Sequence, residues 1–281
     1  SIIFDVIMKK LALIALLFLT GCSSTTFVYN RIDFLLPWYL ASYVDFTSEQ
    51  KQSLNERLIP FFKWHRTQEL PKYVEIINSL EGLLDNEVKA EDIALITQDI
   101  ENSWFRTEQQ ILSWLTPLAK DLSDEQINQF LNVMKRKTIE NENKYLNRND
   151  QTYQKDVVNR FRKNLGRFMG SLNKDQLVLL RTASENMYRS DNEWLENRKA
   201  LINNLSLILQ RENDWEERLN GITNRYNLES QNYRIKYSHN INITHQLIAE
   251  ILNSRSEKQN KKLRDQLVRY RTDISNLIEQ I

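Results

Sequence analysis

Cysteine occurs once in this 281-residue chain, at Cys22, so no intramolecular disulfide can form and no thiol pair can hold a metal. Histidine is nearly as scarce, with only His65, His239 and His245. The last two are about 240° apart around a helix, which denies them the shared face of a helical zinc pair. No excess of one charge exists either. Lys+Arg number 38 against 37 Asp+Glu, for a net charge of +1, and the basic footprint of a nucleic-acid binder is missing. Glycine (5) and proline (4) are rare, and nothing after Pro117 obliges a helix to break. The sequence has no phosphate-cradling glycine loop, no GxSxG and no HExxH. No stretch alternates with the period of two that marks a half-buried strand. Together these absences point away from metal, cofactor and nucleic-acid chemistry, and predict that the chain is not an enzyme.

What is present begins with an address. Met8, Lys9 and Lys10 precede an apolar run from Leu11 to Leu19, the charged start and short hydrophobic stretch of a secretory signal. A helix rises about 1.5 Å per residue, so a run this short does not cross about 30 Å of hydrocarbon. The run ends in Leu19-Thr20-Gly21-Cys22, which resembles the bacterial lipobox. That resemblance implies cleavage before Cys22 and a covalent lipid on its sulfur. With Ser23 rather than aspartate next, it also implies sorting to the outer membrane, facing the periplasm. Ser1 to Ile7 precede Met8 and read as lying upstream of the true start. Residues 1–21 are then upstream residues plus signal peptide, residues 22–29 a lipidated tether, and residues 30–281 one all-helical domain, with a candidate division into two sub-bundles near residue 172. Losing residues 1–21 removes Asp5, Lys9 and Lys10 and leaves the two charge signs in balance. The tether from Cys22 to Tyr29 reaches roughly 25 Å at most.

Four copies of one helix start punctuate the rest. Thr47-Ser48-Glu49-Gln50, Ser123-Asp124-Glu125-Gln126, Asn173-Lys174-Asp175-Gln176 and Ser256-Glu257-Lys258-Gln259 are capping boxes. In each, the first side chain accepts from the N3 backbone N–H and the glutamine reaches back to the cap's own N–H. Phe46, Leu122 and Leu172 precede three of the boxes, and Leu54, Phe130, Leu180 and Leu263 stand four residues past each glutamine, a shared first turn with a hydrophobic staple. The glutamines are 76, 50 and 83 residues apart, which is not the fixed period of a solenoid.

Between the boxes, apolar positions keep helical period. One stripe carries Leu54, Leu58, Phe61 and His65, with Pro60 inside it as a kink, and a second begins through Pro71 and carries Tyr73, Ile76, Ile77, Leu80 and Leu84. A third runs from Ile93 to Leu115 and closes near Pro117; later ones run Ile127 to Met134 and Tyr153 to Phe168, the latter capped by Gly170. From Leu177 to Ile222 the pattern fits one very long helix or two with a break, and Tyr233 to Ile251 and Leu263 to Ile281 complete the chain. The fold class is all-α, an extended antiparallel bundle of long helices.

Two segments are candidates for contact with something else. Tyr29 to Leu40 follows the tether directly and is rich in aromatics, so it either rests in the lipid headgroup layer or plugs into the bundle; Arg31 and Asp33 favour the second. Trp64, His65, Arg66, Glu69 and Tyr73 gather an imidazole, a guanidinium, a carboxylate and two aromatics at an expected helix-to-helix corner. This is a candidate partner-binding patch, or a structural corner in which Arg66 and Glu69 pair across one turn.

Two resemblances follow from these residues. The lipobox, Tyr29-Asn30-Arg31-Ile32-Asp33, Leu36-Pro37-Trp38-Tyr39-Leu40, Trp64-His65-Arg66 and Glu69-Leu70-Pro71 together resemble an uncharacterised family of proteobacterial lipoproteins, known only as a domain of unknown function. Leu122 to Gln126 and Leu172 to Gln176 look like the LTxxQ motif of periplasmic stress chaperones, with Ser123 and Asn173 in place of threonine. The first implies a helical lipoprotein and little else; the anchor, the helices and the missing chemistry lead to the expectation of a non-catalytic envelope protein that binds a protein or cell-wall partner through a helical surface. The second implies an ATP-independent holdase for unfolded clients. Neither implies a cofactor beyond the lipid on Cys22. A cell-wall hydrolase with Glu69 or another carboxylate as its acid is the remaining alternative, and it requires a cleft that holds a carboxyl of raised pKa.

Overall fold

The computed structural model describes residues 29–223 and 229–280, with the side chains of residues 32–34 and 223 excepted. Cys22 and the signal segment lie outside the described residues. Among the described residues all regular structure is helical, without a strand. The order is α1 (Ile32–Leu40), α2 (Ser48–Trp64), a π turn (His65–Glu69), α3 (Leu70–Leu83), α4 (Ala90–Asp121), α5 (Asp124–Tyr145), α6 (Asp150–Met169) and α7 (Lys174–Asn186). Then come α8 (Asp191–Ile208), α9 (Trp215–Asn220) with a 3-10 turn (Gly221–Thr223), α10 (Gln231–Asn253) and α11 (Glu257–Glu279). No described helix is long and apolar enough to cross a membrane.

Three expectations about helix ends are corrected. The corner expected at Trp64 to Tyr73 is not a corner, because α2, the π turn and α3 form one unbroken helical run. α4 does not close at Pro117 but continues to Asp121; proline forfeits one hydrogen bond there, and Leu118 and Ala119 remain buried on the core face. The run from Leu177 to Ile222 is three helices. Met187 is extended and ends α7, while Arg211 and Asp214 both adopt left-handed backbone (φ 59° and 62°) between α8 and α9. Gly170 ends α6 with φ 87° and ψ −161°, a backbone that glycine adopts and L side chains rarely do.

The helices pack antiparallel where the contacts define direction. Thr97 and Glu101 of α4 meet His245 and Tyr237 of α10, and Glu81 and Asp85 at the end of α3 meet Arg271 and Arg264 of α11. α4, with 32 residues, is about 48 Å long and joins two ends of an elongated bundle. At one end Leu36, Leu40, Leu54, Leu58, Trp114, Leu118 and Met134 form a core with Ile202. A neighbouring core sets Leu112 and Ala119 against Leu131, Leu201, Leu205 and Leu219. At the other end Leu84, Ile93, Met169, Leu180, Ile251, Leu263 and Leu267 pack together. Ile202 sits among residues before 135 in the first core, and Leu84 and Ile93 among residues after 168 in the last, so neither core is confined to one side of residue 172.

The four capping boxes form, and they associate in pairs. Thr47 and Ser123 each accept from the N3 backbone N–H, of Gln50 and Gln126 respectively, and each glutamine accepts in return from the cap N–H. Gln50 Nε2 then donates to the Asp121 carbonyl (2.8 Å) and Gln126 Nε2 to the Asp45 carbonyl (2.7 Å), each two residues before the opposite cap. The two amides also bond each other at 2.7 to 3.0 Å. The second pair repeats this arrangement. Gln176 Nε2 donates to the Ser254 carbonyl and Gln259 Nε2 to the Ser171 carbonyl, with the amides 2.9 to 3.1 Å apart. Each box therefore satisfies its own helix start and also clamps the start of another. One such staple is near each end of the bundle, beside Leu54 in the first core and beside Leu180 and Leu263 in the last.

Candidate functional site

The π turn places the candidate residues, and Pro71 explains its position. Proline has no N–H to offer the Thr67 carbonyl and its ring crowds that carbonyl, so a regular helix is disfavoured across this turn. The backbone widens instead, with the Leu70 N–H donating to the His65 carbonyl, one residue farther back than in an α-helix. Thr67 Oγ1 donates to the Lys63 carbonyl (3.0 Å) and supplies a hydrogen bond that the wide turn displaces. The extra residue also shifts the helical phase. His65 and Tyr73 are eight apart, which in a regular helix is about 80° off one face, but one inserted residue brings them into line. His65 Nε2 and the Tyr73 hydroxyl are 3.3 Å apart.

His65 is held between two phenols. Its Nδ1 is 2.8 Å from the Tyr29 hydroxyl, and its ring stacks on Tyr29 and Phe61 with Trp64 alongside. Burial pushes the imidazole down to about 4, with the nearby Glu69 carboxylate opposing and the Arg66 guanidinium assisting. The ring is thus neutral at pH 7, with one nitrogen to donate and one to accept. Burial also raises the phenols of Tyr29 and Tyr73.

Glu69, fully buried, is the centre of an ion-pair cluster. Arg106 of α4 grips it with Nε on Oε1 (2.8 Å) and a terminal nitrogen on Oε2 (3.0 Å), and Lys72 Nζ adds a bond to Oε1 (2.9 Å). Ser103 Oγ accepts from the same guanidinium. Burial by itself raises a carboxyl, yet the hydrogen bonds from Arg106 and Lys72 and their charges outweigh it and hold Glu69 below its ordinary value. A carboxyl kept ionised in this way is a poor proton donor, the opposite of what a hydrolase acid needs.

Arg66 does not pair with Glu69, contrary to the expected ion pair across a turn. Its guanidinium turns to the chain ends, donating to Asn30 Oδ1 (2.7 Å) and to the Gln280 carbonyl (3.2 Å), and lies over the Tyr29 ring. Asn30 Nδ2 in turn donates to Gln280 Oε1 (2.8 Å). The five residues of the expected patch lie on the π turn or beside it, but the polar atoms of His65, Arg66 and Glu69 are engaged by the chain's own Tyr29, Asn30, Lys72, Arg106 and Gln280. Sequence reasoning missed Arg106 and Gln280, for which no local signal exists, since they arrive from α4 and from the end of α11. α1 plugs into the bundle through Leu36, Tyr39 and Leu40, yet Trp38 faces outward.

The other two histidines serve helix ends and packing. His239 stacks on Tyr188 at 4.0 Å and bonds the Asn186 carbonyl, whereas His245 meets Thr97. Among the described residues no three His, Cys, Asp or Glu side chains gather as metal ligands do.

A family model described as "Family of unknown function (DUF6279)" matches residues 42–234, more than half of the chain. The chain belongs to this family. No curated protein and no solved structure matches it. The matched part of this DUF6279 protein contains the π turn, Glu69 with Arg106, and three of the four capping boxes. Tyr29, Asn30 and Gln280, which close the clasp around His65 and Arg66, lie outside it.

Proposed function

We propose that this DUF6279 protein is a non-catalytic envelope lipoprotein, anchored through lipid on Cys22 in the outer membrane and offering its helical surface to a protein or cell-wall partner in the periplasm. The observation that supports it is the mooring of Tyr29 and Asn30 on the π turn. These residues directly follow the proposed tether, and their fixed seat on His65 and Arg66 gives a short leash a rigid attachment point. The capping boxes lend the holdase reading no separate support, because their glutamines are spent on stapling helix starts to each other.

Metabolic labelling with palmitate, followed by membrane fractionation, tests the anchor. Wild-type chain takes up label and sediments with outer membrane; Cys22→Ala loses both, and an unlabelled wild-type chain refutes the reading. Photo-crosslinkers at exposed Leu95, Phe105 or Leu207 then test the surface. One discrete adduct supports a dedicated partner, and a smear of unfolded clients transfers the case to the holdase.

A further inference from the structure

The two most exposed large apolar side chains among the described residues are Trp38 (71%) and Ile59 (69%), and they belong to neighbouring helices. Trp38 is half a turn away from Leu36 and Leu40, which are buried in the first core, so it projects from the outer face of α1. Ile59 comes one residue after the buried Leu58 and three before Phe62, whose ring meets Tyr29 at 6.4 Å, so it lies about 60° around α2 from the side on which Tyr29 docks. Lys63, one turn beyond Ile59, is exposed on the same flank. A tryptophan, an isoleucine and a lysine in this order suit the headgroup boundary of a lipid layer, where the rings and methyls sit below the phosphates and the ammonium beside them.

The place where the chain leaves the bundle sets its posture. Tyr29 docks on His65, midway along the continuous run from Ser48 to Leu83. Either end of that run is about 25 Å from His65 at ~1.5 Å per residue. Seven peptide units from Cys22 to Tyr29 extend to roughly the same 25 Å. A bundle standing on end would use the entire tether merely to reach its own foot. A bundle lying on its side needs only a fraction of it.

We infer that the anchored protein lies along the membrane with its α1–α2 flank on the lipid surface, Trp38 and Ile59 inserted at the headgroup boundary. This rests on the proposal that Cys22 carries lipid, and the experiment separates the two. Full-length protein purified from membranes is reconstituted in phosphatidylethanolamine–phosphatidylglycerol vesicles containing lipids brominated near the headgroup, and tryptophan fluorescence is read alongside the mass of the Cys22 peptide. The expected result is a lipidated peptide, bromolipid quenching that is mostly lost in Trp38→Phe, and weakened quenching in Ile59→Asp. Both side chains are exposed, so neither variant disturbs the core. A lipidated peptide with quenching unchanged in Trp38→Phe overturns the side-lying posture alone. A peptide without lipid overturns the anchor, and the posture with it.

Discussion

Replacing Gln176 with alanine removes the hinge of the more deeply buried staple. The Gln176 side chain accepts from the Asn173 N–H (3.0 Å) and from Gln259 Nε2 (2.9 Å), and donates to the Ser254 carbonyl (3.2 Å) and to Gln259 Oε1 (3.1 Å). Gln176 is fully buried and Gln259 nearly so, so water does not readily replace these bonds. A net hydrogen bond is worth about 1 kcal/mol, and a buried group left without a partner costs about 1 to 3 kcal/mol. The expected loss is thus about 3 kcal/mol for Gln176→Ala, and similar for Gln259→Ala. Because the two amides bond each other, the double variant loses less than the sum, with a coupling of about 1 to 2 kcal/mol. The half-buried counterpart is the control. Gln126→Ala, where solvent reaches the orphaned groups, costs about 1 to 2 kcal/mol. Urea unfolding followed by circular dichroism measures all four. Additivity of Gln176→Ala and Gln259→Ala within about 0.5 kcal/mol would show that the paired boxes act as two independent caps and refute the staple.

His65 and Glu69 should give the protein two separate acid sensitivities. His65 is depressed to about 4 from 6.5, so the unfolded chain binds the proton first. Stability is complete above pH 6.5 and declines as pH falls toward 4, by about 2 kcal/mol between pH 6.5 and 5 at ~1.4 kcal/mol per unit. His65→Phe should flatten urea midpoints across that window; an unchanged slope would deny the burial of the imidazole. Glu69 is also depressed, so its contribution is present above the unfolded carboxyl value and is lost below it as pH falls through the folded one. Glu69→Ala at pH 7 should cost about 2 to 3 kcal/mol, below the range for fully buried pairs because Arg106 is partly exposed, and a loss under about 0.5 kcal/mol would contradict the cluster's role. Gly170→Ala should destabilise by about 1 to 2 kcal/mol at its left-handed φ of 87°. Gly82→Ala, which meets nothing within 4 Å, should stabilise α3 by about 0.5 kcal/mol, and the reverse order of the two effects would contradict the backbone assignment.

The sequence by itself determined where the four boxed helices begin and which side of their first turns is buried. Thr47, Ser123, Asn173 and Ser256 announce their caps because the relevant hydrogen bonds close within four residues, and Leu54, Leu180 and Leu263 are buried as their period requires. Gly170 was legible for the same reason, since the positive φ at which it ends α6 is a one-residue property that glycine tolerates. Only the tertiary structure decided what those local units do to each other. That Gln50 clamps Gln126, and Gln176 clamps Gln259, depends on contacts between residues 76 and 83 positions apart, and nothing local encodes which box meets which. The same holds at the π turn. Pro71 looks like a helix start in isolation, yet continuing the helix with one extra residue points His65 and Tyr73 to one side and lets Arg106 reach Glu69. Arg66 could pair locally with Glu69, but the competition was settled by Asn30 and Gln280, brought in from opposite ends of the chain. Short-range geometry is written in a few adjacent residues; the choice among distant partners is made only when packing fixes which of them arrive together.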